Sequence, residues 1–424
     1  MPTDVAEFRP ILAWIEALDA EFLERSAAVR LAVLAPIAGQ HLLLLGPPGT
    51  AKTMLARRIT EMFDARLFST LLTKFSTPED VFGPLSLPEL EKGVYQRLTE
   101  GYLPTADVAF IDEIYKANAS ILNALLSVLN ERIYFNGKDR VDIPLLAMIA
   151  ASNEVPEDDE GLDALDDRIV LRVRVGSLEE AGSFAKLVGR GLLEKQTLPP
   201  ISRELVVLLR ERAKRVHVPE RIVRAMLELR ESCKRSQLVV SDRRFRQAVE
   251  VMATCAALDG CEEIEPAHLG VLSHVLWRRP SDQPKVHDAI ADALNALELT
   301  TATASATEIL ALLTERQQAF SRLSDRTQQQ FRGGWGGQGD TQDRVAEDAR
   351  EALRKGKETL AAAKEWLGAI ERELRGRSAL WAPFWTDVWS RLDVHAETEA
   401  LRTHDFVMKK LPAHLPALAK EWSA

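Results

Sequence analysis

Five short apolar runs alternate with helical segments in the first half of the chain. Runs of this kind, without polar residues at every second position, are typical of strands that are buried on both faces of a parallel sheet. The alternation therefore predicts an α/β fold, an αβα core in which helices cover both faces of a parallel sheet. The predicted strands are residues 41–45, 67–72, 108–111, 145–151 and 169–175.

Helical periodicity dominates on either side of this region. Residues 1–38 read as two amphipathic helices, and residues 177–298 show no convincing strand. We therefore predict an αβα core with N-terminal helices at 1–176 that is followed by an all-α lid at 177–298. The predicted lid helices are 203–215, 220–236, 241–258, 266–277 and 283–297.

Two segments interrupt the alternation in the core. Residues 79–106 form an insertion that contains proline and glycine, and residues 132–143 hold Asn136-Gly137 between two alternating runs. Asn-Gly is a strong hairpin signal because both central residues of a type I′ turn need a positive φ. We expect a β-hairpin at 132–143 with this pair at the centre of its turn.

Residues 299–424 are predicted to form a C-terminal helical interaction region. Five glycines within 331–340 predict a flexible linker there. The tail is rich in aromatic residues, which either form a small helical core or dock a partner protein, because exposed aromatics are favoured interface anchors. These aromatic residues are Trp381, Phe384, Trp385, Trp389 and Trp422.

Composition narrows the class of protein. The chain has 424 residues and a net charge of −9, which argues against general nucleic-acid binding because that needs a positive face. Its three cysteines have no paired spacing, which predicts a reducing compartment without structural zinc. No apolar run approaches the roughly 20 residues that span a bilayer. We expect a cytoplasmic protein without a membrane span.

The most specific motif is LLLLGPPGTAKT, at residues 42–53. An apolar strand that leads into this glycine-rich turn matches a P-loop, whose backbone N–H groups wrap phosphates at the start of a helix. We expect Lys52 to reach the β- and γ-phosphates of ATP and the Thr53 hydroxyl to ligate Mg²⁺. The predicted nucleotide-binding residues are Gly46, Pro47, Pro48, Gly49, Thr50, Ala51, Lys52 and Thr53.

One position departs from the P-loop pattern. Ala51 stands where the second glycine normally lies. A methyl group is tolerated at this position if the residue keeps a negative φ, so we expect Ala51 to do so.

Polar residues end two of the predicted strands. Asp112 is expected to hold the Mg²⁺ shell, and Glu113 to polarise the attacking water. Two acids after an apolar run could equally cap a helix, but these follow a P-loop by about 60 residues. Asn153 ends another strand, where an amide can orient the water and sense the γ-phosphate. The alternative for Asn153 is a turn residue that ends the strand.

Arginines supply the remaining candidates for catalysis. Arg168 precedes the last core strand, where an arginine can reach the nucleotide of a neighbouring subunit. Arg132 is a competing candidate, and so are two arginines that alternate along the last strand, for which a solvated strand edge is the simpler interpretation. Either Arg243 or Arg244, which open a lid helix, could contact the γ-phosphate, although a helix-surface arginine is the alternative. The alternating pair is Arg172 and Arg174.

Together these motifs resemble the MoxR family of AAA+ ATPases and, within it, the RavA-like branch (regulatory ATPase variant A). The resemblance covers about residues 8–280 and includes GPPGTAKT, TKFSTPEDVFGPLSL, LTEGYLPTADVAFIDEIYKA, ILNALLSVLNER, ASNEVPE and SDRRFRQAV. It implies that residues 46–53 are Walker A and that Asp112 and Glu113 are Walker B. It also implies that Asn153 is sensor 1, Arg168 the arginine finger and Arg243 sensor 2.

The same resemblance implies a biological setting. It makes the insertion at 79–106 a helix-2 insert and the hairpin at 132–143 a pre-sensor-1 hairpin, both facing the pore of a ring that is usually a hexamer. Family members hydrolyse ATP with Mg²⁺ and act as chaperone-like remodellers that activate or mature client protein complexes. They commonly work with a partner that carries a von Willebrand factor A domain. Residues 300–424 lack the strand alternation of the RavA module that binds a decarboxylase, so that partner is not expected here.

Two other functions remain open from the sequence. A nucleic-acid motor would need basic hairpins, whereas Lys138 and Arg140 are partly offset by Asp139 and Asp142. A nucleotide-gated scaffold would use hydrolysis only to reset its assembly and would need no force on a substrate.

Overall fold

The computed structural model describes residues 7–155, 160–189, 196–295 and 379–388. The chain begins with two helices, α1 (Arg9–Glu21) and α2 (Ser26–Ala38). Phe8, Ile15 and Leu18 in this part of the chain are buried in the core. Helix α2 is apolar on nearly every side and is buried along most of its length, so it forms an inner layer beneath the sheet.

The five predicted strands form one parallel sheet. Its order is β2-β3-β6-β1-β7, and a separate antiparallel pair joins β4 to β5. The prediction of an αβα core with a parallel sheet is confirmed. In chain order the strands are β1 (Leu42–Leu45), β2 (Leu67–Leu71), β3 (Val108–Asp112), β4 (Ile133–Asn136), β5 (Asp139–Asp142), β6 (Ala147–Ser152) and β7 (Leu171–Arg174).

Helices between the strands cover the sheet. Every residue of β1 and of β6 is buried, because these two strands have neighbours on both sides and helices on both faces. Helix α6 begins where the Asn118 side chain accepts a hydrogen bond of 3.1 Å from Ile121 N, a standard N-cap. The core helices after α2 are α3 (Lys52–Met62), α4 (Pro78–Phe82), α5 (Leu87–Glu91), α6 (Ala119–Glu131), α7 (Glu160–Arg168) and α8 (Ala181–Gly189).

A second group of helices follows the sheet. Four helices lie within the predicted lid segments: α9 (Arg203–Arg215), α10 (Glu220–Arg235), α11 (Asp242–Leu258) and α12 (Gln283–Asn295). The segment predicted at 266–277 is instead a 3-10 helix, Pro266–His274. Among the described residues, no helix is both long enough and apolar enough to cross a bilayer.

The insertion and the hairpin are fastened together. The Asn136 side chain accepts a hydrogen bond of 2.7 Å from Arg97 N and donates one of 3.0 Å to Arg97 O. The rings of Phe82 and Tyr134 stack with centroids 5.3 Å apart. Each contact joins residues 79–106 to the hairpin, so the two segments form one packed unit.

The hairpin turn differs from the prediction by one residue. Asn136 pairs with Asp139, so Gly137 and Lys138 are the two central residues. Gly137 has a φ of +67°, whereas Asn136 keeps a negative φ and uses its side chain to hold Arg97. Glycine at the first central position is the pattern of a type II′ turn rather than type I′.

A short C-terminal segment packs against the body of the protein. Residues 379–388, which we call the tail segment, include a 3-10 helix at Ala379–Trp385. Trp385 Nε1 donates a hydrogen bond of 2.9 Å to Ala267 O in the lid, and Arg30 Nε of α2 donates one of 2.5 Å to Leu380 O. Trp381 and Phe384 are also buried, so these aromatic side chains complete the core of another part of the chain.

For these three aromatic residues an exposed docking face is wrong, and the core that they enter is shared with the lid and α2 rather than formed by the tail alone. Trp389, Trp422, the linker at 331–340 and the rest of the predicted region 299–424 lie outside the described residues.

Candidate active site

The strand order brings three predicted site segments to one edge of the sheet. Strand β6 lies between β1 and β3. The loop at 46–53 follows β1, Asn153 follows β6, and Asp112 ends β3, so all three emerge at the carboxyl ends of neighbouring strands. In open α/β sheets this edge is where ligands bind.

The loop at 46–53 passes close to the backbone of the last strand. A Cβ atom on Gly46 would lie 2.0 Å from Val175 O, so no larger residue fits there. Gly46 N donates a hydrogen bond of 3.0 Å to Ser152 O, and the Thr50 hydroxyl donates one of 2.9 Å to Pro47 O. These contacts fix the loop in a curved shape at the start of α3, where the positive end of the helix dipole favours anions.

Ala51 does not keep the negative φ that we expected. Its φ is +66°, in the left-handed region, and it immediately precedes α3. The left-handed conformation costs a residue with a Cβ roughly 1–2 kcal/mol. Closure of the loop between β1 and α3 imposes this conformation, so the loop stores strain where the sequence pattern usually places glycine.

Lys52 turns back toward the loop that precedes it. Its Nζ donates hydrogen bonds to Gly46 O at 2.5 Å and to Pro47 O at 3.0 Å, and it lies 3.4 Å from Asn153 Oδ1. Burial lowers the pKa of Lys52, while the nearby carboxylates of Asp112 and Glu113 act in the opposite direction. The ammonium group therefore lies where it can meet phosphate oxygens held by the loop.

Glu113 is held by two side chains. Asn153 Nδ2 donates a hydrogen bond of 2.6 Å to Glu113 Oε1, and Lys116 Nζ lies 3.4 Å from Glu113 Oε2. Glu113 also has a φ of +54°, which turns the chain sharply after β3. Sequence reasoning missed Lys116, although its spacing of three residues from Glu113 in a 3-10 turn places the two side chains together.

The oxygen ligands at this edge fit a magnesium ion. Thr53 presents an exposed hydroxyl at the start of α3, and Asp112 presents a partly exposed carboxylate at the end of β3. Mg²⁺ prefers oxygen ligands and is usually held by one or two carboxylates with water and substrate phosphates. Among the described residues, no group of three or more acidic, histidine or cysteine side chains is arranged to hold a metal ion.

Arg168 lies at the opposite edge of the sheet from the loop. It ends α7, and Leu171 at the start of β7 pairs with Leu42 at the start of β1, whereas Lys52 follows the end of β1. Arg168 and the phosphate loop of its own chain are therefore about one strand length apart, roughly 10–13 Å. Arg168 Nη1 donates a hydrogen bond of 2.6 Å to Ala164 O of its own helix.

Arg243 is near Arg168 rather than near Lys52. Its guanidinium hydrogen-bonds Asn130 Oδ1 at the end of α6 and lies 4.0 Å from Asp167 Oδ2. Burial lowers the pKa of Arg168, and the charge of Arg243 lowers it further. The structure thus brings together two groups of candidate residues, one at each edge of the sheet.

The competing arginines are engaged inside the protein. Arg244 is buried and donates a hydrogen bond of 2.8 Å to Val275 O, and Arg132 donates one of 2.8 Å to Gly39 O. Arg172 is fully buried, with Nη2 3.2 Å from Asp166 Oδ1, so a solvated strand edge is wrong for it. Arg174, at the end of the same strand, is exposed.

Asp166 is a structural acid that sequence reasoning missed. Its carboxylate accepts a hydrogen bond of 2.7 Å from the Tyr115 hydroxyl and pairs with Arg172. Its backbone carbonyl accepts hydrogen bonds from Arg172 and Arg244. Because Arg244 belongs to α11, these contacts connect the lid to the core.

Two family models match the chain in succession. One, described as the MoxR domain in MoxR-vWA-beta-propeller ternary systems, matches residues 10–203. The other, an AAA lid domain, matches residues 221–290. Together the matched ranges include both edges of the sheet described above, nearly all of α10, all of α11 and the first part of α12.

Other proteins resemble the chain in sequence or in fold. Two uncharacterized proteins of Methanocaldococcus jannaschii resemble the chain. MJ0079 is 38% identical over 283 residues, which is 66% of this chain and 73% of that protein. MJ0812 is 39% identical over 275 residues, 64% of this chain and 72% of that protein. A crystal structure of a candidate ATPase from Cytophaga hutchinsonii superposes with a TM-score of 0.56 at 17% identity, covering 70% of this chain and 97% of that one; at this identity the likeness concerns the fold alone.

Proposed function

The chain belongs to the MoxR family of AAA+ ATPases, and we propose that it uses Mg²⁺-dependent ATP hydrolysis to remodel or activate partner protein complexes. One observation carries the catalytic part of this proposal. Asn153 contacts both Lys52 and Glu113, at 3.4 and 2.6 Å. The group that would bind the γ-phosphate and the group that would polarise water are thus joined through one amide.

Each residue at this edge has a distinct task in the proposed reaction. The loop at 46–53 binds the phosphates through its backbone N–H groups, and Lys52 stabilises charge on the β- and γ-phosphates. Glu113 accepts a proton from the water that attacks the γ-phosphate. Asn153 orients Glu113 and that water. A magnesium ion held by Thr53 and Asp112 would neutralise charge on the phosphate oxygens.

The proposal extends to a ring, usually a hexamer, as in the RavA-like branch. Arg168 is at the edge of the sheet away from its own phosphate loop, which supports a role as an arginine finger toward a neighbouring subunit's nucleotide. Arg243 lies beside it and is partly exposed, which supports Arg243 rather than the buried Arg244 as sensor 2. Both arginines would then act on the same neighbouring site.

The partner is proposed from the family. The matching model is described in MoxR-vWA-beta-propeller ternary systems, so we propose a von Willebrand factor A domain protein as partner and a β-propeller protein as a third component. A client complex would be acted on through this assembly. A cytoplasmic location stays a prediction.

A nucleotide-gated scaffold is the second candidate function. It is favoured by the tail segment, which fastens the C-terminal part of the chain to α2 and to the lid. A nucleic-acid motor has less support, because the exposed strand β5 has two acidic residues, Asp139 and Asp142, and one basic residue, Arg140. Phe135 is 60% exposed on the hairpin, so Phe135→Ala tests the choice: loss of partner activation favours remodelling, and unchanged activation favours the scaffold.

The decisive experiment for ATP hydrolysis is a comparison of Glu113→Gln with the wild-type protein. We expect ATP binding to persist, measured by calorimetry, while phosphate release falls by about 10²-fold or more. Glu154→Gln, which changes an exposed neighbour of Asn153, is the matched control and should keep full turnover. Undiminished hydrolysis in Glu113→Gln would disprove the assignment of the catalytic glutamate.

A further inference from the structure

A cavity at the amino-terminal edge of the sheet is distinct from the nucleotide site. It has a volume of about 390 Å³ and lies between the end of α2, the segment 143–146 before β6, and one face of α9. This volume falls in the range of small-molecule sites, roughly 300–1,000 Å³. Its lining residues are Gly39, Arg132, Ile143, Pro144, Leu145, Leu146, Arg203, Val206, Val207 and Arg210.

Three guanidinium groups line this cavity. Arg203 and Arg210 project from α9 seven residues apart, which places them on one face of the helix, and Arg132 approaches from the start of β4. Arg210 binds Ile37 O at 2.9 Å and Pro36 O at 2.6 Å. Within the described part of the chain, the hydrogen-bond acceptors of Arg132 and Arg210 are backbone carbonyls, and Arg132 Nη1 lies 2.9 Å from His41 Nε2; none of these groups carries a full negative charge.

The nearest acid is already shared. Asp107 accepts hydrogen bonds from Arg66 N and Nε through Oδ2, both at 2.9 Å, and pairs with Arg203 through Oδ1. No carboxylate pairs with Arg132 or Arg210 among the residues that the structure describes. The cavity therefore has more positive charge than the described residues around it compensate.

The remaining walls are apolar. Val206 is buried, Val207 is 55% exposed at the mouth, and Ile143 and Leu145 form the opposite side. Guanidinium groups bind phosphate and carboxylate in a planar, bidentate geometry. Arg210 uses Nε and Nη2 for its carbonyl contacts, which leaves the two N–H groups of Nη1 for a ligand.

We propose that this cavity, which we call the arginine pocket, binds a small organic anion that carries a phosphate or carboxylate group on an apolar body. The charged group faces Arg132, Arg203 and Arg210, and the body lies against Val206 and Val207. The site is at the opposite edge of the sheet from the phosphate loop, so its occupant is distinct from the ATP that the loop would hold. The proposal does not depend on ATP hydrolysis.

Phenyl phosphate is a suitable probe because it combines a dianion with an apolar ring. Calorimetry on full-length Lys52→Ala protein, in which the phosphate loop is weakened, should show one bound phenyl phosphate per chain. Inorganic phosphate should bind at least tenfold more weakly because it makes no contact with the valines. If phenyl phosphate fails to bind, or binds no better than inorganic phosphate, the proposal is overturned.

Variants at the mouth of the pocket locate the binding. Val207→Glu supplies a carboxylate beside the arginines and should raise the Kd for phenyl phosphate at least tenfold, while Val207→Gln, which has the same shape without the charge, should leave it within threefold. Arg210→Met should weaken binding like Val207→Glu, with Arg215→Met, an exposed arginine of the same helix, as its control. Because Arg210 also binds the end of α2, the Val207 pair decides the matter if Arg210→Met unfolds. Equal effects of Glu and Gln at position 207, or no effect of either, would overturn the proposal.

Discussion

The Asn153 amide donates a hydrogen bond of 2.6 Å to the carboxylate of Glu113. The same side chain lies 3.4 Å from Lys52 Nζ through its oxygen. This relationship depends on strand order, because β6, which Asn153 follows, lies between β1 and β3, the strands that precede Lys52 and Glu113. The amide is neutral, so it can bridge a cation and an anion without changing the charge of the site.

Replacing this amide by a carboxylate should change the pH dependence of hydrolysis. In Asn153→Asp two carboxylates would lie in contact. Repulsion between their negative charges raises the pKa of the second ionisation of the pair. A protonated Glu113 cannot accept a proton from water. We expect the acid limb of the kcat profile to move upward by about one pH unit or more.

The control for this prediction is Asn153→Ala, which removes the bridge without adding a charge. It should lower kcat and leave the acid limb where the wild-type protein has it. Steady-state phosphate release measured between about pH 5.5 and 9 separates the two variants. Parallel profiles for Asn153→Asp and Asn153→Ala would show that Glu113 is not the titrating base.

The left-handed conformation of Ala51 predicts a gain of stability from glycine. Ala51→Gly removes the steric cost at φ +66° and adds the backbone entropy cost of glycine, so we expect a net gain of about 0.5–1 kcal/mol. Urea unfolding at constant pH measures the difference. Ala51→Val is the opposing control, since a β-branched residue at positive φ should lower stability and weaken ATP binding. A destabilised Ala51→Gly protein would contradict the strained geometry.

The placement of Arg168 predicts complementation between two inactive proteins. Arg168→Ala and Lys52→Ala should each lose most of their ATP hydrolysis, since an arginine supplied in trans can contribute about 10³–10⁵-fold. In an equal mixture, about a quarter of the interfaces would pair an intact phosphate loop with an intact Arg168. We therefore expect phosphate release to recover on mixing. If the mixture releases no more phosphate than the two separate preparations together, Arg168 does not act on a neighbouring subunit.

A buried histidine predicts part of the acid sensitivity of the fold. Burial lowers the pKa of His274 to about 4, and its Nδ1 lies 3.1 Å from Arg172 O. An unfolded histidine has a pKa of about 6.5. As the pH falls, the unfolded state therefore binds a proton at this histidine before the folded state does. The contribution of His274 to the free energy of unfolding is present above about pH 6.5 and is lost as the pH falls toward 4.

Between pH 7 and 5 the loss attributable to His274 is about 2 kcal/mol. We expect His274→Gln, which keeps a donor for Arg172 O, to lose correspondingly less stability over this interval in urea unfolding. His217→Gln, at an exposed position, should behave like the wild-type protein. An unchanged pH dependence in His274→Gln would show that this group does not couple folding to protons.

The sequence predicted the structural features that depend on the local residue pattern. It missed the features that depend on contacts between segments that are distant in the sequence. The apolar runs located all five strands of the sheet, and the glycine-rich loop located Lys52 and Thr53, because period and turn chemistry are local properties. The φ of Ala51 could not be read in this way, since closure between β1 and α3 imposes it. The hairpin turn shifted because Asn136 binds the backbone of Arg97, 39 residues away in the sequence.

Burial of charge was also hidden from the sequence. Arg172 alternates with apolar residues as a solvated edge would, yet the lid covers it and Asp166 pairs with it. The 3-10 helix Pro266–His274 replaces a predicted α-helix and packs against the tail segment. A Cβ on Gly270 would lie 2.5 Å from Trp385 Nε1, so this contact with a residue 115 positions later shapes the helix surface.

The docked tail segment ties a C-terminal part of the chain to the inner helix layer. Helix α12 ends at Asn295 within the lid, and Leu380 is bound again by Arg30 of α2. Asn295 and Leu380 are therefore held at two separate places, one in the lid and one against α2. A load that reached the protein through both of these points would be divided between the lid and the inner helix layer beneath the sheet.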